Sequence, residues 1–182
     1  MALVVADRPC RGLDRAAAAG VATELVARDR FDGAFDRDEY SARLADGLSG
    51  HRIDLVVMAG DHLDVSSPVP LDAQTVVILE YIALLKAATT VIVCSGNHDL
   101  TGPDVNGEQA ALWLAGAAAQ EVPTDGASVT IGDTLVTVCP WWDGDIGKAT
   151  VEAQLAADAE RRPARWIWVY HWPPDGSPTT WT

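Results

Sequence analysis

Polar residues able to bind metal or exchange protons follow three apolar runs of the chain. The loops concerned are Gly60-Asp61-His62-Leu63-Asp64 after run 53–59, Gly96-Asn97-His98-Asp99 after run 91–94, and His171 after run 166–170. Carboxylate, amide carbonyl and imidazole groups are the ligands that borderline divalent ions such as Mn, Fe or Zn accept. The three strand ends therefore present groups suited to a divalent metal ion.

The two glycine-led loops differ in how specific they are. Gly-Asp after a strand is common as a plain turn, whereas Gly-Asn-His-Asp is more specific, because a turn needs no histidine between its turn-forming residues. Gly60 and Gly96 allow the backbone to leave a strand sharply and to approach a ligand closely.

The elements that position these loops alternate between strands and helices. Continuous apolar runs predict strands covered on both faces over 2–6, 53–59, 91–94 and 166–170, and Gly132-Asp133 divides a hairpin over 128–131 and 135–139. Helical patterns cover 13–28, 38–48, 72–86, 106–120 and 150–161. The order predicts an α/β fold with a layered sheet in one domain over residues 1–182. In such sheets, sites lie beyond the carboxyl ends of strands.

The chain resembles the calcineurin-like metallophosphoesterases, whose blocks are DxH, GDxxD, GNHD or GNHE, a lone histidine after a strand, and GHxH. GDxxD ends at Asp64, GNHD is complete at Gly96 to Asp99, and His171 matches the lone histidine. The likeness covers about two thirds of the chain, from residue 53 onward. It implies a β-sandwich flanked by helices and the hydrolysis of a phosphate mono- or diester by a hydroxide that two metal ions activate.

The resemblance also implies a role for each matched residue. Asp61 would bridge two metal ions, and Asn97 and His171 would bind the second of them. His98 would lie near the leaving-group oxygen as a general acid or a transition-state stabiliser, oriented by Asp99. Asp64 would hold the loop around Asp61 without touching metal.

Two blocks of the family pattern are missing or degraded. Asp7 stands where DxH would begin, but Pro9 occupies the histidine position, so Asp7 is either a remnant metal ligand or a turn residue. No GHxH block exists, because the four histidines are His51, His62, His98 and His171. We therefore expect a shortened chain with an incomplete C-terminal part of the fold, one partial metal site and impaired activity.

Composition limits the partners. The formal net charge is −13, which disfavours general nucleic-acid binding but is compatible with a small phosphorylated substrate, since a bound dication reverses the local field. The three cysteines form no regular framework, and no signal peptide or membrane-spanning run is present, so we expect a cytoplasmic protein. Oligomeric state and metal identity are left open by the sequence.

Several alternatives stay open. The chain could be a degenerate phosphoesterase fold that serves as an interaction or regulatory module, since two ligand blocks are lost. A metal-free nucleotide-binding protein is disfavoured by the absence of a glycine-rich phosphate loop. His62 is expected near the site or on the surface rather than on metal. Trp141, Trp142 and Trp172 could wall a substrate pocket or pack in the core.

Overall fold

A computed structural model describes residues 3–6, 8–28, 36, 39–40, 42–43, 46–47, 51 and 53–172. The chain forms two compact units, Met1–Asp54 and Leu55–Thr182, and each is described by itself. The expectation of one domain over the whole chain stays a prediction. Among the described residues, no helix has both the length and the apolar character that a membrane span requires.

The first unit contains a small parallel sheet. Strand β1 (Leu3–Ala6) leads into helix α1 (Arg11–Ala18), and strand β2 (Ala22–Leu25) returns beside β1. The predicted helix over 13–28 is therefore wrong beyond residue 18. Gly20 has a φ of 73°, a conformation that ends a helix readily, and the following segment pairs with β1 instead. In the predicted helix over 38–48, the described residues 39–40, 42–43 and 46–47 are helical, and the other positions lie outside the described residues.

The second unit carries the remaining elements. Its strands are β3 (Leu55–Ala59), β4 (Thr90–Cys94), β5 (Gly102–Pro103), β6 (Gln109–Ala110), β7 (Ser128–Ile131), β8 (Thr134–Val138) and β9 (Arg165–Val169). Its helices are α2 (Leu71–Ala88), α3 (Leu114–Ala118) and α4 (Asp145–Glu160). The predicted strands, the hairpin and the helices near 72–86 and 150–161 are confirmed.

Strands of this unit form three sheets. Strands β3 and β4 are parallel, with Leu55 opposite Thr90 and Ala59 opposite Cys94. Strands β7 and β8 form the antiparallel hairpin, and β9 adds to β8 in parallel. Strands β5 and β6 make a short separate hairpin.

The alternating side chains of β4 join the layers. Val91 and Val93 belong to a core that includes Ile82 of α2 and Leu114 of α3. Ile92 and Cys94 face the other way, in a cluster with Val136, Val138 and Val169 from β8 and β9. Because successive strand residues point to opposite faces, one apolar strand can serve both layers. The mixed α/β, layered architecture predicted from sequence is confirmed.

The predicted helix over 106–120 is wrong in its first half. Asp104 accepts hydrogen bonds from the backbone N–H groups of Asn106 and Glu108, at 2.8 and 3.0 Å, and so closes a turn. Gly107 has a φ of 84° in that turn. The aspartate and the glycine favour the β5–β6 hairpin over a helix start, and only Leu114–Ala118 is helical.

Candidate metal centre

A sharp turn after β3 presents Asp61. Gly60 has a φ of 87° and Asp61 a φ of 56°, so two consecutive residues adopt the left-handed conformation. This conformation is costly for a residue with a Cβ and persists only where surrounding contacts impose it. A Cβ at Gly60 would lie 2.7 Å from Cγ of His171 and 2.8 Å from Cα of Gly96, so only glycine fits where the three loops meet.

His171 and Asp61 face each other across this meeting point. His171 Nε2 lies 3.2 Å from Asp61 Oδ2. His171 Nδ1 lies 2.8 Å from the carbonyl oxygen of Ala59, and since a carbonyl only accepts, Nδ1 carries the proton. The backbone of β3 thus fixes the tautomer that directs the Nε2 lone pair toward Asp61.

The third loop also reaches Asp61. Asn97–Asp99 forms a single 3₁₀ turn directly after Gly96. The backbone N–H of His98 donates to Asp61 Oδ1 at 3.1 Å, and a Cβ at Gly96 would lie 2.5 Å from the backbone nitrogen of Asp61. Asn97 and His98 are both exposed. The structure therefore brings Asp61 and His171 into contact and places Asn97 on the loop that touches Asp61.

Asp99 is fully buried and holds two loops together. Its Oδ1 accepts the backbone N–H groups of His62 at 2.8 Å and Leu63 at 2.9 Å, and its Oδ2 accepts that of Gly96 at 2.8 Å. These bonds satisfy the buried carboxylate, as burial of a charge demands. The predicted orientation of the His98 ring by Asp99 stays a prediction.

Asp64 is exposed and shapes the segment after Asp61. Its Oδ1 accepts the backbone N–H of Ser66 at 2.9 Å and the Ser66 hydroxyl at 2.6 Å. These bonds lower the pKa of Asp64.

The ring of His62 turns inward rather than toward Asp61. Its Nε2 lies 3.2 Å from both the backbone nitrogen of Gly60 and the carbonyl oxygen of Cys94. The ring also meets that of Trp113 edge to face, with centroids 5.8 Å apart. His62 therefore contacts the ends of both strands.

Sequence reasoning missed Asp125, which anchors the start of the Gly96 loop. Asp125 binds Ser95 through both carboxylate oxygens, and Ser95 Oγ in turn accepts the backbone N–H of Trp141 at 2.8 Å. Asp125 lies thirty residues after Ser95 and beside Gly126, so locally it is an ordinary turn residue. No local signal separates it from other loop aspartates.

Aromatic rings lie beside His171. The Trp141 ring meets those of His171 and Trp172 edge to face, with centroid distances of 5.8 and 5.7 Å. Trp142 lies under the amino group of Lys148, 5.7 Å from its ring centroid. Both pocket-wall and packing roles for these tryptophans stay open.

The donor groups fit one divalent ion better than two. Asp61 and His171 offer a carboxylate and an imidazole nitrogen 3.2 Å apart, and Asn97 adds an amide on the neighbouring loop. Over the part of the chain that the structure describes, no three His, Cys, Asp or Glu side chains gather as a metal-binding group. Asp7, the remaining candidate ligand, lies outside the described residues.

A comparison with protein-family models finds a match that includes all three loops. The family model described as calcineurin-like phosphoesterase matches residues 33–178. The chain belongs to the calcineurin-like phosphoesterase family. Membership supports a metal-dependent phosphoesterase kind of function, with phosphate esters as the class of bond hydrolysed. No curated protein and no solved structure matches the sequence at a significant level.

Proposed function

We propose that this calcineurin-like phosphoesterase hydrolyses a phosphate mono- or diester at the loops that carry Asp61, Asn97 and His171. The observation that carries the proposal is the contact of His171 Nε2 with Asp61 Oδ2 at 3.2 Å, while His171 Nδ1 is held by Ala59. A carboxylate and an imidazole lone pair directed at one point are what a divalent cation requires of its ligands.

Asp61, His171 and Asn97 would hold the ion, which is Mn, Fe or Zn in this proposal. When bound, divalent ions of this kind act as Lewis acids and lower the pKa of water. Asp61 keeps one oxygen on the His98 backbone N–H, so its other oxygen is free to face His171 and the ion. The 3₁₀ turn at Asn97 carries the third ligand.

His98 supplies the proton for the leaving group in this proposal. The exposure of His98 and the bond from its backbone N–H to Asp61 Oδ1 support a position for its ring on the solvent side of the proposed metal site. A positioned histidine can donate a proton to a departing oxygen near neutral pH. Asp99 supports it by fixing the turn on which it stands.

We further propose that this chain by itself is an impaired enzyme. The described residues include no cluster of three His, Cys, Asp or Glu side chains, and the two-ion mechanism of the family needs more ligands than Asp61, Asn97 and His171 supply. A single ion leaves part of the charge on the transferring phosphate without a partner. Weak metal binding and slow turnover are expected.

The experiment compares metal binding and turnover on the same protein. The purified chain is stripped of metal, titrated with Mn²⁺ by calorimetry, analysed for metal content and assayed with bis(p-nitrophenyl) phosphate. We expect about one ion per chain, bound weakly, and slow turnover that increases with Mn²⁺. Asp61→Ala and His171→Ala should lose both, whereas Asp133→Ala, in an exposed hairpin turn, should keep both.

Three other results would change the proposal. Rapid turnover that Asp61→Ala abolishes would contradict the impairment but keep the site. Turnover that survives Asp61→Ala would contradict the site. No metal and no turnover at millimolar Mn²⁺ would contradict the enzyme and favour the alternative, a fold retained as an interaction or regulatory module.

We propose a phosphorylated small molecule or a phosphodiester as the substrate, and the cytoplasm as the place of action. The net charge of −13 opposes general binding of nucleic acid and anionic membranes. Cys10, Cys94 and Cys139 are all free thiols, which suits a reducing compartment.

A further inference from the structure

We propose that His62 is a positioning residue whose imidazole accepts the backbone N–H of Gly60 just after β3 and thereby sets the conformation of Asp61. The inference deepens the proposed function, on which it rests for the role of Asp61 as a metal ligand. It concerns a residue between the two matched aspartates of the loop, one whose side chain points away from the site.

The imidazole lies where β3 and β4 end. The backbone N–H of Gly60 donates to His62 Nε2 at 3.2 Å, and the Cys94 carbonyl oxygen lies 3.2 Å from the same atom. Because one ring nitrogen cannot accept and donate at once, the nitrogen that accepts the Gly60 N–H has Cys94 as a neighbour and not as a hydrogen-bond partner. Ala59 and Cys94 form the last pair of the parallel register between β3 and β4. The ring therefore binds the chain just after β3, where it departs toward Asp61.

The path of the backbone makes this contact possible. Left-handed conformations at Gly60 and Asp61, with φ of 87° and 56°, turn the chain so that the His62 ring returns to its own strand. Asp61 has a Cβ and would relax from this conformation without restraint. His62 supplies the restraint on one side of Asp61, because its ring is bonded to Gly60, the residue on the other side.

Two further contacts fix His62 itself. Its backbone N–H donates to the buried carboxylate of Asp99 at 2.8 Å. Its ring meets Trp113 edge to face at 81°, and Trp113 is only 7% exposed within the core around α2 and α3. The core thus positions the ring, the ring positions the turn, and the turn directs Asp61 toward His171.

Two variants distinguish the role of the ring's shape from the role of its nitrogen atom. His62→Phe keeps an aromatic ring against Trp113 but leaves the Gly60 N–H without its acceptor. His62→Gln loses the ring but offers an amide oxygen where Nε2 lies, so it can still accept the Gly60 N–H. A residue that acted only by packing would be replaced better by Phe than by Gln.

The experiment measures amide chemical shifts by NMR on the metal-free protein, and then Mn²⁺ affinity by calorimetry. In His62→Phe we expect shifted amide signals at Gly60, Asp61 and Gly96 and a shifted His171 ring, with Mn²⁺ affinity lower by roughly 10–100-fold. His62→Gln should keep these signals and stay within about threefold of the wild-type affinity. Val122→Ala destabilises the same core without touching the loops, so it controls for lost stability.

The inference is overturned if His62→Phe leaves those signals in place, if Val122→Ala shifts them as much, or if His62→Gln matches His62→Phe. Should His62→Phe fail to fold, His62→Asn replaces it, since its shorter amide cannot reach the Gly60 N–H, and the same comparison with Gln decides. If the wild type binds no Mn²⁺, the proposed function fails, while the metal-free spectra still decide the role of His62.

Discussion

Ser95 donates two hydrogen bonds to Asp125, from its backbone N–H to Oδ1 at 2.8 Å and from its hydroxyl to Oδ2 at 2.6 Å. This pair fixes the residue before Gly96, and hence the start of the loop that carries Asn97. The aspartate is itself half-buried. Burial raises the pKa of Asp125 to about 6, although the bonds from Ser95 oppose the shift.

The raised pKa makes Asp125 a source of pH-dependent stability. Between about pH 4 and pH 6 the folded protein holds a proton on Asp125 that the unfolded chain has lost, so the free energy of unfolding decreases as pH rises. Asp125→Asn has no carboxyl group at this position, so its free energy of unfolding does not decrease with pH for this reason. The stability of the variant relative to wild type should increase by about 2–3 kcal/mol from pH 4 to pH 7.5.

Urea unfolding at several pH values measures this difference. Asp133→Asn is the control, because Asp133 is an exposed carboxyl in the β7–β8 turn and should give a difference that changes little with pH. A stability difference between wild type and Asp125→Asn that is constant from pH 4 to pH 7.5 would show that Asp125 titrates normally.

The layered fold could be predicted because its strands are continuous apolar runs. β4, with Val91 to Cys94 buried, is predicted from composition alone, since both of its faces are covered. The segment 106–120 could not be predicted in the same way. Asn106 is compatible with a helix cap and with the turn that Asp104 closes. Tertiary contacts, rather than the local sequence, decide between the two.

Part of the candidate site could also be predicted from sequence, and part could not. Asp61, His98 and His171 stand in motifs and could be named in advance, but no motif indicates that Asp99 binds the backbone of residues 62 and 63. Asp125 and the inward ring of His62 depend on contacts over some thirty residues. Such contacts arise from the packing of loops and leave no periodic pattern.

Gly60 should tolerate no side chain. Gly60→Ala combines a left-handed φ of 87° with a clash against His171 and Gly96, so Mn²⁺ affinity should fall below detection and thermal stability should drop. Gly126→Ala is the matched control, since Gly126 has a φ of 80° and nothing within 4 Å of the added Cβ. The control should lose only about 1 kcal/mol and keep metal binding. Equal losses of affinity would contradict the close approach of the three loops.

Only one of the three thiols should react in the folded protein. Cys10 is exposed, whereas Cys94 and Cys139 are buried. Burial raises the pKa of Cys94 to about 12 and that of Cys139 to about 11, and the charge of Asp125 adds to both shifts. Because thiolates are the reactive form, a disulfide reagent at pH 8 should label one thiol quickly and the other two only after urea is added. Cys10→Ser should abolish the fast phase, and a remaining fast phase would contradict the burial.

Asp158 should support the strand that leads to His171. Its Oδ2 accepts the hydroxyls of Ser128 and Thr137 at 2.5 Å each, and Thr137 Oγ1 also accepts the indole N–H of Trp166 on β9 at 2.8 Å. Burial raises the pKa of Asp158, but these hydrogen bonds and Arg161 outweigh it and lower the pKa below its usual value. The stabilisation is therefore present above the unfolded pKa and is lost as pH falls.

Asp158→Asn should reduce the free energy of unfolding by about 2 kcal/mol at pH 7, because bonds to a buried charge are stronger than bonds to an amide. The difference from wild type should shrink as pH falls below the usual aspartate pKa, because the unfolded chain then gains a proton that the folded carboxylate, with its lowered pKa, resists. Arg161→Ala is the control: its side chain is 46% exposed, and its loss should cost less than about 1 kcal/mol. If Asp158→Asn is as mild as Arg161→Ala, the two hydroxyls do not depend on the charge, and β9 must be held by its pairing with β8 and by the apolar contacts of Val169.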